Sequence, residues 1–169
     1  MSYETRVDVY NTILNKLNEN SINFIIIRGF DFLPTKPYTD IDIIINPKHY
    51  NIFLDLIKEL FKKEIIEKGR EKVYYCGKKK YICLPFFTHK KILPVNTYKF
   101  NAYSDLFFFE DENKAFIGNV LFKNYLFKNK EKINNYFIPN SVSEIILLIF
   151  INIFNKKIKW EDKDKNRIF

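Results

Sequence analysis

Two short apolar runs, Ile22 to Ile27 and Thr39 to Ile45, constrain this chain more than any other feature. Both are rich in isoleucine, whose branched Cβ packs well on a pleated surface and stiffens in a helix. Asn18 to Ser21 precedes the first run, Arg28-Gly29 follows it, and a loop with Pro34 and Pro37 separates the two. Short apolar runs bounded by such residues read as buried strands. Helical patterns frame them. Val9, Tyr10, Ile13, Leu14 and Leu17 recur at helical spacing within Thr5 to Leu17. Asn46-Pro47 supplies a cap and a first-turn proline, and a helix runs on to about Lys62 with Tyr50, Phe53, Leu54, Ile57, Leu60 and Phe61 on one stripe.

Further along, Lys72 to Cys76 and Tyr81 to Leu84 read as strands around Gly77, and a less regular stretch with Pro85 and Pro94 follows. Val95 to Phe109 is rich in β-formers and supplies one or two strands, with Glu110 to Lys114 as a polar turn. Gly118 to Tyr136 reads as partly helical. Ser141-Val142-Ser143-Glu144 has the form of a capping box before an apolar helix over roughly residues 142 to 155, apolar enough all round to be buried or to meet a partner. The order α-β-β-α-β-β-β-α predicts an α+β (α/β-like) fold, a mixed sheet flanked by helices. We expect a core over residues 1–115 and a C-terminal helical extension, 116–169, packed on it.

The 169 residues suffice for a sizeable core, and 47% apolar against 28% charged residues is the balance of a globular protein. The abundance of Lys, Asn, Ile, Phe and Tyr matches A/T-rich coding, so the net charge of +8 is weak evidence for a nucleic-acid partner. Lys78-Lys79-Lys80, beside Gly77, reads as a solvated hairpin tip. Two cysteines, Cys76 and Cys83, are too few for a disulfide framework or a zinc site. The longest apolar segment, Ile145 to Ile151, falls short of the ~20 residues that span a bilayer, and no signal peptide is visible, so a cytoplasmic location is expected. His49 reads as solvent-facing. The end at Arg167-Ile168-Phe169 reads as part of a continuing element, which points to a longer protein, a fused domain or a partner chain.

Chemistry concentrates at Asp40-Ile41-Asp42. Carboxylates two residues apart on a strand share a face, where they repel unless a cation neutralises them. The upstream Gly29 leaves room for a phosphate to approach the backbone. Together these features point to metal-assisted chemistry on a nucleotide.

The apolar strand, Gly29, a short spacer and Asp40-Ile41-Asp42-Ile43 resemble the signature of the polymerase-beta-like nucleotidyltransferase superfamily. The closer likeness is to small nucleotidyltransferase-like domains of bacterial surface-polysaccharide loci, carried by Ile25-Ile26-Ile27-Arg28-Gly29-Phe30, Leu33-Pro34 and Phe137-Ile138-Pro139. The resemblance implies transfer of a nucleoside monophosphate from an NTP to a hydroxyl acceptor, with Asp40 and Asp42 as ligands of a two-metal Mg2+ site. It implies nucleotide contacts from Arg28, Gly29 and Phe30. A surface sugar or another small molecule is the favoured acceptor, with protein or RNA open. Two departures stand out. Phe30 replaces the small residue that usually follows the glycine, and the third carboxylate is either Asp105 or, if the register puts Asn101 in its place, lost. The alternatives are a catalytically degenerate module that binds a nucleotide or a partner protein, and a basic nucleic-acid-binding domain.

Overall fold

The computed structural model describes residues 3–30, 40–88, 99–109 and 115–155. Helix α1 (Tyr3–Glu19) leads into strand β1 (Phe24–Arg28), and strand β2 (Ile41–Ile45) follows. A 3₁₀ turn over Pro47–His49 opens helix α2 (Tyr50–Lys62), and the Asn46 side chain accepts from the Lys48 N–H as the sequence predicts. Strands β3 (Ile66–Lys68), β4 (Lys72–Cys76), β5 (Lys79–Thr88) and β6 (Lys99–Tyr103) complete the main sheet. Its order is β1-β2-β6-β5-β3, with β4 also paired to β5. Among the described residues only β2 and β6 run parallel in it, so the sheet is mixed and the fold α+β.

The alternation of side chains sorts the sheet into two faces. Phe24, Ile26, Ile41, Ile43, Ile45, Leu84, Phe86, Phe100 and Ala102 share one face, and α1 and α2 cover it with Ile13, Leu14, Leu17, Phe53, Ile57 and Leu60. Phe86 stacks on Phe100 with ring centroids 4.8 Å apart. Each such buried isoleucine, leucine or phenylalanine side chain contributes about 1.5–3 kcal/mol. The opposite face carries Ile25 and Ile44. It is covered by Leu106, by Phe108 of β7 (Phe107–Phe109), by Leu126 of α3 (Val120–Lys128), and by Leu147 and Ile151 of α4 (Ser141–Phe150) and the π-helical turn after it. No helix among the described residues is long and apolar enough to cross a membrane.

Several expectations shift. The proposed boundary at residue 115 falls inside β8 (Ala115–Ile117), which pairs with β7. Beyond it the chain is not purely helical, because β9 (Glu131–Ile133) and β10 (Tyr136–Ile138) form a hairpin, and Tyr136 and Ile138 join the main core. Pro85 lies within β5, at the point where that strand exchanges β4 for β3 as its neighbour; the Gly69 N–H donates to its carbonyl at 2.9 Å. A proline is tolerated at such an interruption of the ladder. The cap of α4 is Asn140, which accepts from the Ser143 N–H at 2.9 Å, so the cap sits one residue ahead of Ser141. His49 is half-buried and accepts from the Asn23 N–H through Nδ1 at 2.9 Å, rather than facing solvent. Cys76 and Cys83 are free thiols, as two cysteines too few for a disulfide framework would be; Cys83 is buried and Cys76 half-buried, with Cys76 opposite Lys79 and Cys83 opposite Lys72. The loop with Pro34 and Pro37, the turn Glu110 to Lys114, Pro94, His89 and Arg167-Ile168-Phe169 lie outside the described residues.

Two close contacts of the second half yield predictions. A Cβ on Gly118 would stand 2.6 Å from Leu106 Cγ and 2.9 Å from the Leu106 carbonyl oxygen, which already accepts from the Gly118 N–H. Gly118→Ala is therefore expected to cost about 1–3 kcal/mol, lowering the thermal midpoint by roughly 2–4 °C for each kcal/mol. An unchanged melting curve would contradict this packing. Lys130 Nζ donates to Asn23 Oδ1 at 2.6 Å and to the Phe24 carbonyl at 3.2 Å, and lies 3.6 Å from the Phe137 ring centre. These partners are neutral, and burial lowers its pKa to about 8. The unfolded chain thus holds this proton up to about pH 10.5 while the folded chain releases it near pH 8, so the group makes stability rise with pH across that window. In paired denaturant titrations Lys130→Met should flatten this rise; an identical slope in both proteins would refute it.

Candidate functional site

The candidate site lies on the sheet face away from α1 and α2, where β1, β2 and β6 run side by side. Asp42 and Ile44 turn to this face because Ile41, Ile43 and Ile45 turn to the other. Asp40, immediately before β2, has the same parity and is exposed. From β6 come Lys99, Asn101 and Tyr103, alternating with the buried Phe100 and Ala102. The β2–β6 register sets Asp42 directly opposite Asn101. An amide, and no carboxylate, thus faces Asp42 from β6.

Arg28 reaches this face through an irregularity. Ile26 pairs with Ile43 and Arg28 with Asp42, so Ile27 is an extra residue in β1, a bulge that re-aims the arginine. Gly29 follows with φ +82°, a left-handed conformation that a side chain would strain. Phe30 is half-buried against the core under the opposite face, which takes its ring away from the carboxylates.

Asp42 is 8% exposed. Asn101 Nδ2 donates to Asp42 Oδ1 at 2.8 Å and approaches Asp40 Oδ2 at 3.5 Å. Lys99 Nζ pairs with Asp40, the Arg28 guanidinium stands 4.0 Å from Asp42 Oδ2, and the Tyr103 hydroxyl is 3.5 Å from Asp42 Oδ1. Burial raises the Asp42 carboxyl above the ordinary carboxylate range, offset in part by the Asn101 hydrogen bond and the Arg28 charge. Burial also pushes the Tyr103 hydroxyl up, keeping it a proton donor, and lifts the Cys83 thiol to about 12.

Asp105 stands on the bend after β6. Its carboxylate is 2.8 Å from Lys123 Nζ and accepts from the Leu106 N–H at 2.7 Å. It nevertheless lines, with Arg28, Asp42 and Tyr103, a cavity of about 30 Å3, the size of a water molecule. The structure thus brings Asp40, Asp42 and Arg28 together, leaves Gly29 at the turn beside them, and engages Asp105 with Lys123. Lys99 and Tyr103 are additions that sequence reasoning missed. The alternation Lys99-Phe100-Asn101-Ala102-Tyr103 was the available signal for both.

Among the described residues no group of three or more His, Cys, Asp and Glu is placed to hold a metal. Asparagine widens the ligand count, because its carbonyl oxygen is a ligand for hard cations. The Asn101 amide already sits between both carboxylates, and a half-turn about its last bond exchanges the NH2 for Oδ1. Asp40, Asp42 and Asn101 then form an all-oxygen set with two negative charges, which fits one divalent cation. No family model, curated protein or solved structure matches this chain.

Proposed function

We propose that this face binds a magnesium-complexed nucleotide, in a nucleotidyltransferase-like domain that carries one cation rather than two. The reading rests on the convergence of Asp40, Asp42 and Asn101 on one sheet face. Bound there, magnesium would neutralise the carboxylates and the phosphate chain together. Asp40 and Asp42 supply charged ligands and Asn101 a neutral one. Lys99 and Arg28, now paired with the carboxylates, would be the groups to meet phosphate oxygens once a cation takes over those carboxylates. Gly29 lets the backbone approach the phosphates, and Phe30 stays out of their way. With an amide where a third carboxylate would stand, the face lacks the charge for the second cation that would activate an acceptor hydroxyl.

A second reading, nucleoside monophosphate transfer to a small hydroxyl acceptor, draws on Asp105, which shares a cavity with Asp42 and Arg28. Released from Lys123, it would supply the missing acid. The experiment is a titration of wild type and Asp42→Asn with nucleoside triphosphates, with and without Mg2+. Binding that needs both the metal and Asp42 is expected; binding indifferent to both, or none, would overturn the proposal. Pyrophosphate release in the same mixtures, given an acceptor, favours the transferase reading.

A further inference from the structure

The outer surface of α3 and α4 is apolar, and the candidate site makes no use of it. Seven of the eleven exposed large apolar side chains among the described residues lie on α3, α4 and the π-helical turn Ile151–Asn155. The other four, Ile52, Phe61, Tyr75 and Ile133, are scattered singly, which is usual on a protein surface. Val142, Ile145, Ile149 and Ile153 recur at intervals of three and four residues, so they run along one side of the helix, 38–56% exposed. α3 lies beside this stripe and widens it. Its Phe122 packs on Phe150 with ring centroids 6.3 Å apart, and its Tyr125 hydroxyl accepts from Asn140, the cap of α4, at 3.4 Å. Leu121, one turn before Tyr125, is 78% exposed.

Charge and area together select what covers this face. Residues 145–155 include no charged residue, and Glu144 is the single one in α4. The exposed positions of α2, by contrast, include Asp55, Lys58, Glu59 and Lys62. With a net charge of +8, two copies of the chain repel over most of their surface and approach best through a neutral face. A helix that lies on a membrane carries Lys and Arg on its polar side, and α4 has neither. The exposed side chains of the stripe, with Leu121 and Tyr125, present on the order of 500 Å2 of apolar surface, toward the upper end of the largest patch on a monomer. Homodimer interfaces are about 65% apolar, so a patch of this size corresponds to roughly 800 Å2 buried on each copy, the standard size of a stable interface.

We propose that the outer side of α4, flanked by α3, is the interface of a two-fold dimer of this chain. In such a contact the same patch meets its own copy, and Ile145 and Ile149, at the middle of the stripe, lie nearest the axis. An uncharged stripe suits that symmetry, since any charge near the axis meets its like. The inner side of the same helix carries Leu147, and Ile151 after it lines the cavity beside Asp42. The interface therefore uses none of the residues of the candidate site.

Sedimentation of the full chain over a range of concentrations tests this. Wild type should have twice the mass of a single chain and dissociate on dilution with a Kd at or below about 10 μM. Ile149→Glu sets one carboxylate from each copy into the apolar centre and should raise that Kd about a hundredfold or more. Its far-ultraviolet circular dichroism should stay that of wild type, because the position is exposed in the single chain. Leu121→Glu, at the edge of the patch, should raise the Kd by about tenfold. Ile52→Glu makes the same change at an exposed isoleucine of α2 and should leave the dimer intact. A single-chain mass at every concentration up to about 200 μM overturns the proposal. So does a dimer that survives both Ile149→Glu and Leu121→Glu, or one that Ile52→Glu dissociates equally. Vesicles of phosphatidylcholine and phosphatidylglycerol that take up wild type but not Ile149→Glu would also overturn it, making this face a membrane contact.

Discussion

Asp42→Asn is expected to have opposite effects on binding and on stability. Asp42 is 8% exposed, and a unit charge at about 4 Å in a medium of effective dielectric near 20 interacts by ~4 kcal/mol, more when the other ion is divalent. After subtracting desolvation, removing the Asp42 charge should weaken Mg2+-dependent nucleotide binding by about a hundredfold or more. The metal-free protein should instead gain stability at neutral pH. Burial raises the Asp42 pKa in the folded chain, so the fold favours the protonated carboxyl. Its contribution is then fully present below the unfolded pKa of 3.8 and is lost as pH rises through the raised folded value. A neutral amide removes that loss. Thermal melts of wild type and variant at pH 4 and pH 7 measure it: the variant's advantage should be larger at pH 7. A variant less stable at neutral pH would show that Asp42 holds the strands together rather than awaiting a cation.

The parts of the fold legible in the sequence were those fixed by local rules. Ile22 to Ile27 and Thr39 to Ile45 announced β1 and β2 through composition, and the stripe from Tyr50 to Leu60, with its Asn46 cap, announced α2. Pro85 hid the true length of β5, because its effect on a strand depends on which neighbour the ladder has at that residue. The β9–β10 hairpin was concealed because β9 is exposed throughout and offers no alternation to read. At the candidate site the sequence supplied Asp40, Asp42 and Arg28 and left Asn101 as one of two outcomes of the register, but it gave neither Lys99 nor Tyr103. The setting of Asp42 against Asn101 joins residues 59 apart, and the bulge at Ile27 arises from how two strands meet. Neither is encoded in the spacing of a single segment.

Asn101→Asp should make the folded state depend on a divalent cation. The substitution sets a third carboxylate where the amide now lies 2.8 Å from Asp42 Oδ1 and 3.5 Å from Asp40 Oδ2. It also removes the donor that Asp42 uses. Repulsion at this range, limited by protonation of one member of the cluster, is expected to cost about 2–4 kcal/mol without metal, or roughly 10 °C in the midpoint. Saturating Mg2+ should reverse most of that loss, since a ligand at 100 times its dissociation constant contributes about 2.7 kcal/mol. Asn101→Leu supplies the comparison: it strands the Asp42 carboxylate without a donor and adds no charge, so it should lower stability with no recovery in Mg2+. The difference between the two variants in their response to the metal measures how well the Asp40/Asp42 face holds a cation. Equal responses would mean that the carboxylates are held apart by Lys99 and Arg28 and form no common site.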